Sequence, residues 1–346
     1  CRSSSARSGW CSPAVSDQID RWPTVSVVIP LLNEEQHLRS SVEAILRQDY
    51  PGTFDVCLAL GPSRDRTDDV ARELTQRFAN VRTVSNPTGA TPAGLNAAIR
   101  ATSGEVVVRV DGHAVLPDGY ITRAVETLQR TDAVNVGGLQ LSEGTTPFEQ
   151  AVALALSSPF GMGGARFHTG GEEGPVDTVY LGVFRRSAIE AVGLFDERLV
   201  RNQDYELNIR LREAGGVVWF DPQLAVSYRP RPSLSRLARQ YYEYGEWKRF
   251  VLRLHPGSLR ARQAVPPLAL AAIVAALTVA PWLPIALVVP GVYALAVLLA
   301  SIVTGRRHGL GATARLLTIF PVIHMTWATG FLLGSFTHLN ESIEID

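Results

Sequence analysis

Charge is scarce in the last quarter of the sequence. Beyond Arg262 charged side chains nearly vanish, and Leu, Ala, Val and Ile run almost unbroken from Ala264 to Val303. An uncharged apolar run of this length excludes an ordinary soluble domain and signals a membrane part. Net charge is missing as well, since 33 Lys and Arg face 33 Asp and Glu. No overall field therefore argues for nucleic acid as a partner. Cysteine is limited to Cys1, Cys11 and Cys57. This odd, widely spaced set forms neither a disulfide framework nor a metal-type pair, and it suits a reducing compartment. The opening CRSSSARSGWCSPAVSDQ is rich in Ser and Arg and has no apolar core of a signal peptide. Residues 1–22 are therefore read as a disordered lead-in, and the missing initiator Met suggests a start further upstream. No Gly-x-Gly-x-x-Gly follows the first apolar segment, which ranks a dinucleotide enzyme or nucleotidyltransferase last.

What is present is an alternation of strand and helix patterns. TVSVVIPLL reads as a strand, followed by a loop at Asn33 and a helix with Leu38, Val42, Ile45 and Leu46 on one face. FDVCLAL, the loop GPSRDRTDD and a helix from Val70 to Phe78 repeat the unit. VRTVSN, a Pro/Gly loop, a helix carrying Leu95, Ala98 and Ile99, and the strand EVVVRV ending at Asp111 form the third. Such alternation predicts an α/β fold with a mostly parallel sheet and helices on both faces. Ligands of such sheets bind beyond the carboxyl ends of the strands, so the loops at Pro30–Glu34, Gly61–Thr67 and Asp111–His113 converge on one rim. A second half runs to about Pro230. It has Gly-rich loops, a strand near Val179–Phe184, a helix opened by RNQDYELNIRLREAGG, and a strand at VVWF. Residues 23–233 thus form the α/β domain, 234–263 an amphipathic, aromatic and basic interface segment, and 264–338 a membrane domain.

The membrane domain divides into spans near 265–281, 284–304 and 314–336, with PWLP as the turn between the first two. Each approaches the ~20 residues of a bilayer crossing, and the alternative is a helical hairpin lying in the interface. Arg253, Arg260 and Arg262 precede the first span, and Arg306, Arg307 and Arg315 separate the second from the third. By the positive-inside rule both regions are cytoplasmic. This keeps the α/β domain in the cytosol and puts the acidic end ESIEID across a multi-pass cell membrane protein. His324 lies within the third span, where a neutral histidine bonded to a neighbouring helix is expected ahead of a functional group.

In order along Val25–Trp247, the strings VSVVIPLLNEE, GPSRDRT, GLNAAI, VRVDGHA, RNQDYELNIRLREAGG and YYEYGEW resemble the family 2 glycosyltransferases of GT-A fold. Among these they are most similar to the succinoglycan-biosynthesis-type membrane glucosyltransferases. The resemblance implies an inverting hexosyltransferase acting in cell-surface polysaccharide synthesis. Its donor would be a nucleoside-diphosphate sugar, with UDP the first choice, and its acceptor a polyprenyl-linked or growing glycan at the membrane lipid. In VRVDGHA the family carries an acidic triplet for the donor ribose and a divalent metal, so Asp111 and His113 become the metal pair. Histidine here suits Mn²⁺ better than Mg²⁺.

Pro30, Asn33 and Glu34 match the family's nucleotide-contacting strand end, although Asn and Glu there also suit helix capping. Ser63 and Asp65 in GPSRDRT match its second donor loop, with Gly61 standing where an aspartate usually meets the base. Gly94 and Asn96 match its donor-side helix start, or equally an ordinary helix N-terminus. Asp204 is the expected catalytic base. With Leu207, Leu211 and Ala214 it follows the spacing of one inward helix face, at a helix start that favours a carboxylate. Glu206 is rotated about 200° from it and is assigned to the acceptor side as a supporting or capping group. Trp247, near Tyr241, Tyr242 and Tyr244, matches an acceptor-side aromatic segment, with an aromatic belt at the lipid surface as the alternative. A processive polymer synthase and a catalytically dead membrane scaffold are the competing readings. The first needs more spans, and the second rests on the departures at Gly61 and His113.

Overall fold

The computed structural model describes residues 21–334. Cys1, Cys11, most of the expected disordered segment and the ESIEID end lie outside the described residues.

Three strand–helix units open the fold. They are β1 (Val25–Leu31) with α1 (Leu38–Leu46), β2 (Phe54–Leu60) with α2 (Thr67–Arg77), and β3 (Val81–Ser85) with α3 (Thr91–Arg100). Then come β4 (Val106–Arg109), α4 (Tyr120–Thr131), β5 (Asn135–Gly138), β6 (Gln140–Ser142), α5 (Pro147–Leu156), and the short turns of helix α6 (Pro159–Met162) and α7 (Arg166–Thr169). The second half continues with β7 (Gly174–Pro175), β8 (Tyr180–Arg185), α8 (Arg186–Ala191), α9 (Gln203–Glu213), β9 (Val218–Phe220) and β10 (Val226–Tyr228). Four long helices close the chain: α10 (Leu234–Leu254), α11 (Ala261–Val279), α12 (Val288–Gly305) and α13 (Leu310–Leu333).

The main sheet has the order β3-β2-β1-β4-β8-β5-β9-β7, and β6 pairs separately with β10. Strands β1 to β4 are parallel, whereas β8 runs antiparallel to both β4 and β5. Because side chains alternate along a strand, β1 feeds two cores. Val25, Val27, Ile29 and Leu31 meet Leu38 and Ile45 of α1 and Ile121 and Val125 of α4 on one face. Val28 meets Leu95 and Ile99 of α3 and Leu207 and Leu211 of α9 on the other. This two-sided burial is why VSVVIPL is a nearly continuous apolar run. Pro30 is tolerated in so central a strand because the β4 pairing has already ended, at Val28 opposite Arg109.

Strand order reverses at β1, whose neighbours are β2 and β4, and the loops at the carboxyl ends of these strands form the expected rim. A third core, with Val152 and Leu156 of α5, Tyr241 of α10, Val297 of α12 and Phe320 of α13, joins the α/β domain to the last helices. Ala261–Val279, Pro284–Gly305 and Leu310–Leu333 are each long and apolar enough to cross a membrane.

Candidate active site

A cavity of about 940 Å³ opens at the rim and extends between the last helices. Arg109, Asp111, His113 and Asp204 line its polar end, Tyr228, Gln240, Tyr241 and Tyr244 its waist, and Val265, Val292 and Ile323 its apolar end. Asp111 and His113, two positions apart in the sequence, thus share one cavity with the distant Asp204.

Arg109 ties the polar end together. It is the last residue of β4, only 6% exposed, and follows three buried valines. Its guanidinium donates to Asp111 Oδ1 at 2.9 Å and to Asp204 Oδ2. Burial opposes the guanidinium's charge, and the neighbouring carboxylates, Asp111 ahead of Asp204, overcome that and raise its pKa. Asp204 stands in the first turn of α9, after Asn202, whose backbone is left-handed at φ 60°. Its Oδ1 is enclosed and has no hydrogen-bond partner among the described residues. The carboxylate therefore has one oxygen held by a cation and one enclosed without a partner.

His113 follows Asp111 across Gly112, and this glycine permits a close approach. A Cβ at position 112 would lie 2.7 Å from Leu31 Cδ2 and 2.9 Å from Glu34 Cγ. Glu34 is thereby close enough for its Oε1 to meet His113 Nδ1 at 2.8 Å. That hydrogen bond raises the histidine's pKa, while burial pulls in the other direction. Among the described residues no three His, Cys, Asp or Glu side chains converge as a complete metal cage. Two donors at one cavity wall are the set that suits a divalent cation taking the rest of its shell from phosphate oxygens and water.

The remaining predicted residues have other duties. Asn33 N donates to Ser63 Oγ at 3.1 Å, Glu34 N to Thr67 Oγ1 at 2.7 Å, and Glu35 N to Asp65 Oδ2 at 3.0 Å. Asn33 Oδ1 in turn accepts from Arg64 N at 2.8 Å. These bonds stitch the first loop to the second at the rim. Asp65 also accepts from Thr67 N at 3.0 Å; burial, the largest single influence, raises its pKa, and hydrogen bonds from Thr67 and the loop backbone together outweigh it and lower the pKa. At Gly61 a Cβ would lie 2.8 Å from Leu31 O, so an aspartate needs a shifted loop there. Gly94 lets α3 approach Pro30 and Asn86.

Asn96 is buried and commits its amide to Phe195 O at 2.9 Å, Glu197 Oε1 at 2.8 Å and Phe195 N at 3.0 Å. Neither Gly94 nor Asn96 lines the cavity. Glu206 and Trp247, assigned above to the acceptor side, do not line it either. Glu206 is buried against Arg210, at 2.7 Å, and His255 Nε2, at 3.0 Å, where its rotation from Asp204 carries it. Trp247 packs with Leu199, Ile209 and Val251, holding α10 to α9. The α10 residues on the cavity are instead Gln240, Tyr241, Tyr244 and Lys248. His324 lines the apolar end, its Nε2 2.8 Å from Phe160 O and its Nδ1 3.2 Å from Tyr293 OH on α12. A carbonyl can only accept, so the proton belongs on Nε2.

Along the sequence the same elements have relatives. The family model for Glycosyl transferase family 2 matches residues 26–193. The succinoglycan biosynthesis protein ExoA of Rhizobium meliloti (strain 1021) is 32% identical over 311 residues, 88% of this chain and 93% of its own. The chain belongs to glycosyl transferase family 2. A dolichyl N-acetyl-α-D-glucosaminyl phosphate 3-β-D-2,3-diacetamido-2,3-dideoxy-β-D-glucuronosyltransferase of Methanococcus voltae is 28% identical over 66% of this chain and 74% of its own. In three dimensions the fold resembles the mannosyltransferase PcManGT from Pyrobaculum calidifontis, solved in complex with GDP-Man and Mn²⁺. That likeness has a TM-score of 0.60 at 20% identity and covers 87% of this chain and 86% of the other. The protein is a glycosyltransferase with a GT-A-type domain and three helices fit to span a membrane.

Proposed function

We propose that this transferase moves a hexose, with inversion, from a nucleoside-diphosphate sugar to a lipid-linked or growing glycan in cell-surface polysaccharide synthesis. The observation that carries this reading is the single cavity joining Asp111 and Asp204 to the apolar helices. A water-soluble donor and a membrane-held acceptor have to meet at one carboxylate, and this cavity has both environments. Succinoglycan biosynthesis and dolichyl phosphate in the relatives' names agree with a lipid-anchored glycan route. UDP is the first choice of leaving group on the family resemblance, and PcManGT's GDP-Man is the competing donor class.

In this reading the rim loops carrying Pro30, Asn33, Glu34, Ser63 and Asp65 face the nucleotide, and Asp111 meets the donor. Gly94 and Asn96 support that wall from behind. The Asp204 carboxylate takes the proton of the acceptor hydroxyl as the hydroxyl oxygen bonds to the anomeric carbon, and the bond to the diphosphate breaks on the opposite face. Arg109 keeps the base oriented. Asp111 and His113 would hold a divalent metal, whose contribution when bound is to neutralise charge on the departing diphosphate. Mn²⁺ fits the histidine better than Mg²⁺ does. The arginines flanking the spans support a multi-pass cell membrane protein whose catalytic domain faces the cytoplasm.

The deciding experiment measures nucleoside diphosphate release and labelled product. It uses membranes carrying wild type or Asp204→Asn, a panel of nucleotide sugars, lipid extract and Mn²⁺ or Mg²⁺. Turnover by wild type with a loss of about 10²-fold or more in the variant is expected, the scale of a missing general base. Equal turnover by both proteins sinks Asp204 as the base. Label found only in soluble product sinks the lipid-linked acceptor.

A further inference from the structure

A second pocket lies away from the reacting groups, where the edge strand β7, the end of α9 and the first turn of α11 meet. Pro175, Val176, Asp177, Arg212, Arg260 and Arg262 line it. Three guanidiniums and one carboxylate line this pocket, and the carboxylate pairs with two of them. Asp177 Oδ2 accepts from Arg262 Nη2 at 3.0 Å and lies 3.5 Å from Arg260 Nε. Arg212 has no carboxylate partner among the described residues, and its Nε is enclosed without a hydrogen bond. Beside this cationic pocket begins the exposed apolar face of α11, with Val265 62% and Leu268 67% exposed.

We propose that this pocket binds the headgroup of an anionic phospholipid. The phosphate would sit among Arg212, Arg260 and Arg262, and the acyl chains would run along Val265 and Leu268. Charge complementarity selects an anion, and the adjoining apolar face selects one that carries hydrocarbon. A guanidinium suits a phosphate oxygen pair through parallel N–H donors, and the spare positive charge lies beside the start of α11, the first of the long apolar helices. Occupancy has a route to the reaction because Arg212 and Asp204 belong to the same helix, α9. Arg262 also lines the catalytic cavity, so the two sites share a wall. A bound headgroup would fix the end of α9 against the membrane surface and steady the carboxylate at its start. The inference rests on the membrane reading above, and its first readout, retained lipid, does not depend on turnover.

The full chain is purified in detergent and mixed with phosphatidylcholine or phosphatidylglycerol, and retained lipid is counted by native mass spectrometry. Wild type is expected to keep phosphatidylglycerol selectively. Arg212→Gln with Arg260→Gln should lower that retention by about fivefold per arginine removed. Arg212→Lys with Arg260→Lys, which preserves the charge, should restore most of it and so separates lost binding from lost folding. In nanodiscs, turnover by wild type should rise with phosphatidylglycerol content, while the Gln variant keeps the basal rate without the rise.

Equal retention of both lipids by wild type, or of phosphatidylglycerol by wild type and the Gln variant, overturns the proposal. A Gln variant whose defect is instead a raised KM for a polyprenyl-phosphate acceptor in phosphatidylcholine discs also overturns it, because the pocket would then belong to the acceptor. Wild type that is absent from sedimented cell membranes defeats the membrane reading itself, a result separate from either outcome.

Discussion

Two buried cations show how single residues divide the work. Arg109 holds Asp111 and Asp204 in one arrangement, and a cation shared by two partly enclosed carboxylates is hard to replace. Arg109→Met leaves both acids facing each other, which costs up to about 3–5 kcal/mol on the scale of broken buried pairs. A fall in the chemical unfolding midpoint, with turnover reduced at saturating substrate, is the expected result. An unchanged midpoint would show that the two acids do not need their shared cation.

Lys248 is the opposite case. Burial lowers its pKa to about 7, its Nζ donates to Ser258 O at 2.9 Å, and it lies 4.2 Å from the Tyr205 ring centroid. A lysine depressed in the fold but normal in the unfolded chain destabilises the fold fully below about pH 7. That penalty shrinks as pH rises toward about 10.5, with a slope of up to about 1.4 kcal/mol per pH unit. Melting temperature should therefore climb from pH 7 to 9.5 in wild type and climb less in Lys248→Met. Identical slopes in the two proteins would contradict a buried, depressed lysine. Neither cation was flagged by the sequence pattern, but Arg109 had a visible signal. An arginine following three valines in a buried strand requires a partner, and the only nearby acid in that motif is Asp111.

At the scale of elements, the strands and helices of the first half were readable because each strand is a short apolar run stopped by loop residues. The fate of α9 was not. Asp204, Leu207 and Leu211 read as one inward face, yet Asp204 is half-buried, Gln203, Glu206, Asn208 and Ile209 are buried along with the two leucines, and Ala214 is exposed. A helix enclosed by the sheet on one side and by α10 on the other hides polar residues that periodicity assigns to solvent, and tertiary packing overrides the pattern. The same enclosure misled the placement of Trp247, which serves the α9–α10 contact. Aromatic composition alone cannot tell a cavity wall from a helix seam.

The crossing of α10 and α13 depends on two glycines whose packing role periodicity does not reveal. A Cβ on Gly245 would lie 2.0 Å from Trp327 O, and one on Gly330 would lie 2.0 Å from Tyr242 O. Backbone meets backbone there, as at close-packed helix pairs in membranes. Gly245→Ala or Gly330→Ala should separate the helices and destabilise the protein by about 1–3 kcal/mol. Loss of heat stability in detergent and weaker cavity function should appear together. Full stability in both variants would mean that the helices are less tightly apposed.

For the whole molecule, the α/β architecture and the three long apolar helices were legible because they follow from chain order and long-period composition. The shape of the space between them was not, since it depends on where α10 leaves the domain and how α11, α12 and α13 fold back over it. The arginine-lined pocket is hidden in sequence for a similar reason. Asp177, Arg212 and Arg260 meet only because β7, α9 and α11 come to one edge of the sheet. Under the proposed function, the cavity's apolar end lets an acceptor arrive by drifting within the bilayer plane. Its supply is then governed by abundance per unit of membrane area, so diluting the surrounding water at fixed lipid should leave acceptor saturation unchanged. The donor remains subject to ordinary molarity. One enzyme would thus read two concentrations in different dimensions.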